Sequence, residues 1–144
     1  MTQPWKTDWT KLYFNPGKKY FLAVAEAKDG LSKSEIGEPV VVLDSEFDST
    51  ITTVLTRFLD SFQSNVYSIG VERRGDTQEE NRAFVRKHLA VSIERIGSGA
   101  LVIRPLHHKG SGYVALSGEQ ILVPREQMPY GIPGALREAF GVAT

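Results

Sequence analysis

The sequence predicts an α+β fold: one domain spanning residues 1–144, with a largely antiparallel central sheet packed by about three helices. Three observations lead there. Short apolar and β-branched runs separated by turn signals occupy much of the chain, which is the pattern of strands. Two stretches, Ser49–Phe62 and Gly131–Ala143, instead carry apolar residues at helical spacing. The third observation is an internal echo, because segments 38–62 and 119–143 share one strand-loop-helix pattern 81 residues apart. Two amphipathic helices of this kind need a common sheet on which to bury their stripes.

Between Trp9 and Ala27, the runs Leu12-Tyr13-Phe14 and Tyr20–Val24 are split by Asn15-Pro16-Gly17, a strong turn signal, and predict a hairpin. The stretch Lys28–Ser34 reads as turn-rich, and Pro39–Leu43 as a β-branched strand. Next, Ile51, Val54, Leu55, Phe58, Leu59 and Phe62 make one continuous helical stripe, with Asp48 or Ser49 as the natural N-cap. A second helix is expected from Thr77 to Leu89, opened by Asp76-Thr77 with Glu80 placed for a capping box, its apolar side being Phe84, Val85 and Leu89. From Val91 the chain reads as β, with strands at Ala100–Leu106, Tyr113–Leu116 and Gln120–Val123. The last helix starts near Gly131, with Pro133 tolerated in its first turn.

The echo aligns Glu38-Pro39-Val40-Val41-Val42 with Glu119-Gln120-Ile121-Leu122-Val123. It also lays the first stripe on Ile132, Ala135, Leu136, Ala139, Phe140 and Ala143, position for position. A duplicated half and convergence on one packing problem both account for it.

Composition narrows the function classes. At 144 residues, 41% of them hydrophobic and 24% charged, the chain is ordinary for a globular domain, and no stretch approaches the ~20 consecutive apolar residues of a membrane helix. The run Met1-Thr2-Gln3-Pro4-Trp5-Lys6 has no signal-peptide core, so a cytoplasmic location is expected. There is no cysteine for disulfides or thiolate metal sites. Seventeen basic and seventeen acidic residues cancel, which argues against a global attraction to nucleic acid or membrane. Between Val24 and Asp60, however, eight acids stand against three bases, a local net charge of −5. If these acids share a face, it suits a basic partner.

Candidate chemistry is sparse. His107-His108-Lys109 is the most catalytic-looking cluster, but adjacent strand residues face opposite sides, so the segment reads as a solvated hairpin end. His88 reads as a packing residue on the flank of the middle helix. Asp44, Glu46 and Asp48 have the one-three-five spacing of a calcium loop, yet Ser49 stands where glycine is needed and Leu55 where a bidentate Glu would close the shell. Neither Gly-Ser-Gly, at 97–99 and 110–112, opens a phosphate-binding helix, and Arg73-Arg74-Gly75 has no aromatic platform beside it. The prediction is therefore no catalytic residue, no cofactor and no metal site, in a protein that is not an enzyme. Its partner-binding residues are expected to be Glu38, Asp44, Glu46, Phe47 and Asp48, with Asp48 also serving the helix N-terminus.

The paired strand-loop-helix units, the acidic loop and the closing helix Gly134-Ala135-Leu136-Arg137-Glu138-Ala139-Phe140 resemble the CdiI immunity proteins of bacterial contact-dependent growth inhibition. Pro133 departs from that pattern. The resemblance implies a cytoplasmic protein that binds the C-terminal toxin domain of a cognate CdiA protein, often a nuclease, and blocks its active or substrate site. It implies no direct contact with nucleic acid or membrane. The alternative is a small nucleic-acid-binding or RNA-processing domain using the cluster His107-His108-Lys109, or a structural subunit with a broad apolar patch.

Overall fold

The computed structural model describes residues 7–29, 32–62, 78–110 and 112–144. The predicted hairpin is β1 (Asp8–Asn15) and β2 (Tyr20–Asp29), and the chain continues into β3 (Ser32–Leu43). A 3-10 turn at Asp44–Glu46 opens α1 (Phe47–Ser61), and α2 (Gln78–Lys87) follows. Then come β4 (Leu89–Arg95), β5 (Leu101–Lys109), β6 (Gly112–Ala115), β7 (Ile121–Val123), a 3-10 turn at Arg125–Gln127 and α3 (Gly131–Val142). The sheet has the order β3-β2-β1-β4-β5-β6 and is antiparallel throughout. β7 shares the outer edge of β5 with β6, pairing with residues 101–103 while β6 pairs with 106–109. This is the α+β domain that the apolar periodicities imply.

Three expectations need correction. β2 and β3 extend well into the stretch read as turn-rich, pairing as far as Asp29 and Ser32. The start of α1 has no side-chain cap: its N-cap is Glu46, and Ser49 Oγ donates back to the Glu46 carbonyl at 3.1 Å. The 3-10 turn supplies the entry geometry instead, and exposed Asp48 is left in the first turn, where a negative charge suits the helix dipole. Leu89 begins β4 instead of ending α2. The capping pair Asp76-Thr77 lies outside the described residues.

The echo extends over the whole fold. The sheet is palindromic about the β1–β4 pair, with β3-β2-β1 on one side and β4-β5-β7 on the other. At its centre Lys11 pairs with Ser92, its own counterpart 81 residues on, as a pseudo-twofold axis between the strands demands. The pair Phe21·Val42 answers to Leu101·Val123, so β5 is offset by 80 residues and β7 by 81. Even the backbone agrees: Lys19 and Gly99, 80 apart, have φ of 58° and 92°, the left-handed conformation that glycine adopts without penalty. The 3-10 turns 44–46 and 125–127 are likewise counterparts.

The stripes pack as predicted. Ile51, Leu55 and Leu59 of α1, and Ile132, Leu136, Ala139 and Phe140 of α3, join one core with Leu12, Phe21, Val91, Ile93, Leu101, Ile103 and Val123 from one face of the sheet. Val54, Phe58 and Ala135 pack at its margin. The opposite face holds a smaller core of Tyr13, Val24, Ala90 and Leu106, covered by Phe84 of α2 and Tyr113 of β6.

Candidate functional site

The predicted partner-binding residues fall around the end of β3 and the start of α1. Glu38 is exposed in the irregular part of β3, where the register shifts opposite Ala23 and Ala25. Asp44 and Glu46 stand in the 3-10 turn, and Asp48 is exposed one turn later. Phe47 does not belong with them, because its ring is fully buried, 4.0 Å centroid to centroid from Phe21. It is a core residue, and the exposed apolar side chains near these acids are Val41 and Leu43, 61% and 51% exposed. They alternate with buried Val42 and so point away from α1.

The acids of 24–60 do not form one face. Arg137 of α3 takes up two of them, with Nη1 donating to Asp44 and Nε to Asp48, each at 3.2 Å. Burial lowers the Arg137 pKa, but the hydrogen bonds and charges of Asp44 and Asp48 raise it more, and the net direction is upward. Its guanidinium lies 4.7 Å over the Phe47 ring. Asp60 accepts from Arg95 at 2.6 Å, and the same arginine holds Asp8 at 2.7 Å. Glu35 accepts from Tyr13 and Lys11, and Glu26 is buried. Among the acids of this stretch whose side chains are described, Glu38 and Glu46 are exposed and make no ion pair. Sequence distance hid this, since Arg137 is 93 residues from Asp44 and 89 from Asp48.

The histidines separate as strand alternation requires, but His107 is not merely solvated. Its Nε2 lies 2.6 Å from Glu119 Oε1 and its Nδ1 2.5 Å from Thr144 Oγ1. The backbone of Thr144 pairs with Leu106 and His108, so the ring helps to hold Thr144 against β5. His108 is exposed. The two rings therefore have different expected roles, and thermal denaturation distinguishes them. His107→Ala costs about 1 kcal/mol by removing one partly buried and one exposed hydrogen bond, whereas His108→Ala stays within about 0.5 kcal/mol of the parent.

His88, as expected, is a packing residue. It stacks on Phe84 with centroids 3.9 Å apart, and its Nε2 meets the Tyr20 hydroxyl at 2.9 Å. Beside it Lys18, Arg86 and Lys87 line a cleft of about 600 Å³. Arg125 lies elsewhere, beside α1, and Arg73 and Arg74 lie outside the described residues. Among the described residues, no group of three or more His, Asp or Glu side chains is placed to hold a metal ion, the Asp44, Glu46 and Asp48 series included. Nor, among them, is any helix long and apolar enough to cross a membrane.

No family model and no curated protein matches the sequence. A solved structure from Neisseria meningitidis, of a protein of unknown function, matches over 100% of both chains with a TM-score of 0.74 and 16% identity. The two share a fold. At that identity the likeness concerns architecture alone.

Proposed function

We propose that this is an immunity protein that acts in the cytoplasm by gripping, without catalysis, the C-terminal toxin domain of a contact-dependent growth inhibition system. The observation that carries the reading is the surface at the end of β3, where exposed Val41 and Leu43 stand between outward-facing Glu38 and Glu46. β3 is an outer strand of the sheet, so this surface is accessible. Apolar anchors within a charged rim are the usual composition of a protein interface. A nuclease toxin must present positive charge to nucleic acid, and uncommitted carboxylates at the rim steer such a partner. The closing motif Gly134–Phe140 supports the reading in another way. Leu136, Ala139 and Phe140 pack in the core while Arg137 pins the acidic turn, so the motif is a scaffold for the surface.

The decisive experiment is surface plasmon resonance of folded variants against the toxin domain, beside a growth assay in cells making that toxin. The protein is expected to restore growth. Glu38→Lys with Glu46→Lys lowers the association rate about tenfold at low salt, and the difference shrinks as salt shortens the Debye length. Val41→Ser with Leu43→Ser chiefly speeds dissociation. Equal rates for both double variants and the parent, at every salt concentration, would remove this surface from the interface. Failure of the parent to protect or bind would overturn the function itself.

One feature favours nucleic-acid binding, namely the cleft lined by Lys18, Arg86 and Lys87. A gel-shift titration with single-stranded RNA, repeated after charge reversal at those three positions, tests that second reading.

A further inference from the structure

The pseudo-twofold equates positions as well as strands, and the two halves fill one pair of equivalent sectors differently. In the first, Phe14, Phe21 and Phe47 form a single aromatic cluster with Phe140 of α3, at centroid separations of 4.4 Å (14–21), 4.0 Å (21–47), 5.5 Å (21–140) and 5.8 Å (14–140). Arg137 closes it by lying over Phe47 and pairing with Asp44 and Asp48. This sector is filled, and its arginine is paired with both aspartates.

At the counterpart positions the rings are replaced by Arg95 for Phe14, Leu101 for Phe21, Met128 for Phe47 and Leu59 for Phe140. All four line a cavity of about 360 Å³, together with Leu55 and Ile132. The closing residues are exchanged too. Thr56 stands where Arg137 would be and Arg125 where Asp44 would be, and both line the same cavity. The mouth is thus reversed in charge relative to its counterpart and lacks the internal counter-ion. Arg95 is already committed to Asp8 and Asp60. Arg125 is exposed and makes no ion pair among the described residues. Its side chain runs against Gly99, where an added Cβ would stand 3.3 Å from Arg125 Cδ.

We propose that this cavity binds a small organic anion, a carboxylate attached through a short arm to one apolar ring. The ring occupies the space that phenylalanine fills in the other half, against Leu55, Leu59, Leu101, Met128 and Ile132. The carboxylate accepts from Arg125, as Asp44 accepts from Arg137. The size suits this class. A cavity of roughly 150 Å³ takes benzene, and ligand pockets begin at about 300 Å³, apolar with a few placed polar groups. The inference is independent of toxin binding, because it uses neither β3 nor the acidic turn.

The test is a titration of the isotope-labelled full chain with phenylacetate, followed by amide chemical shifts, with benzyl alcohol and acetate as comparators. Phenylacetate is expected to saturate a single site whose shifted amides surround Leu59, Gly99 and Arg125. Arg125→Gln weakens it about tenfold or more, the loss of one charge-assisted hydrogen bond. Met128→Phe and Leu59→Phe each copy the filled half, abolish binding and keep dispersed spectra; having two such variants guards against one that does not fold. The proposal is overturned if phenylacetate gives no saturable shifts by about 10 mM, if the filled variants bind it as the parent does, or if benzyl alcohol binds equally well.

Discussion

Leu55→Ala and Leu136→Ala are each expected to destabilise the protein by about 2–5 kcal/mol. For a chain of this length that lowers the melting temperature by roughly 6–15 °C. The two leucines are counterparts under the pseudo-twofold, and they are 2% and 0% exposed. Each sits at the middle of its helix stripe within the shared core. Removing either leaves a void beneath a helix that the sheet cannot follow inward, since its strands are tied on both sides through an antiparallel ladder. Val54→Ala is the internal control: Val54 lies at the margin of the same core and is expected to cost about 1 kcal/mol. Thermal denaturation followed by circular dichroism reads all three. Melting of both leucine variants within a degree or two of the parent would mean that the stripes are not core.

Those stripes were legible because helical burial is written into local spacing. So was the hairpin, since Asn15 acts within its own turn, its Oδ1 accepting from the Lys18 amide at 2.9 Å and its carbonyl from Lys19 at 2.8 Å. What stayed hidden depended on distance or on disguise. The outer half of the β2–β3 pair carries Lys28, Asp29, Lys33 and Glu35, a composition that reads as a turn although the backbone is paired throughout. The equivalence of β1-β2 with β4-β5 was masked by a one-residue shift in β5 and by Phe14 and Phe21 becoming Arg95 and Leu101. Arg95 and Leu101 both line the cavity, with Met128 and Leu59. The acidic stretch was legible only in part, because Asp44, Asp48 and Asp60 are paired with arginines distant in sequence. Its charges could be counted from the sequence, but their neutralisation by Arg137 and Arg95 depends on the packing of α3 against α1 and on β4 lying beside β1.

The same packing decides the role of Phe47, and Phe47→Ala is expected to cost about 3–5 kcal/mol, a large share of the ~5–15 kcal/mol that stabilises a typical domain. The ring is fully buried and contacts Phe21 on one side while Arg137 covers another. Its loss removes the partner of the aromatic cluster and leaves the Arg137 guanidinium over a hole. Arg137→Ala should cost far less, about 1 kcal/mol or less, because its pairs with Asp44 and Asp48 are solvent-exposed. The contrast separates a core residue from a binding residue. A partner anchor exposed at the surface would give the opposite result, with an unchanged melting temperature and weakened toxin binding. Chemical denaturation of both variants, with toxin affinity measured under conditions where each is folded, distinguishes the two. A Phe47→Ala protein as stable as the parent would return this ring to the interface and undo the assignment of Val41 and Leu43 as its replacements.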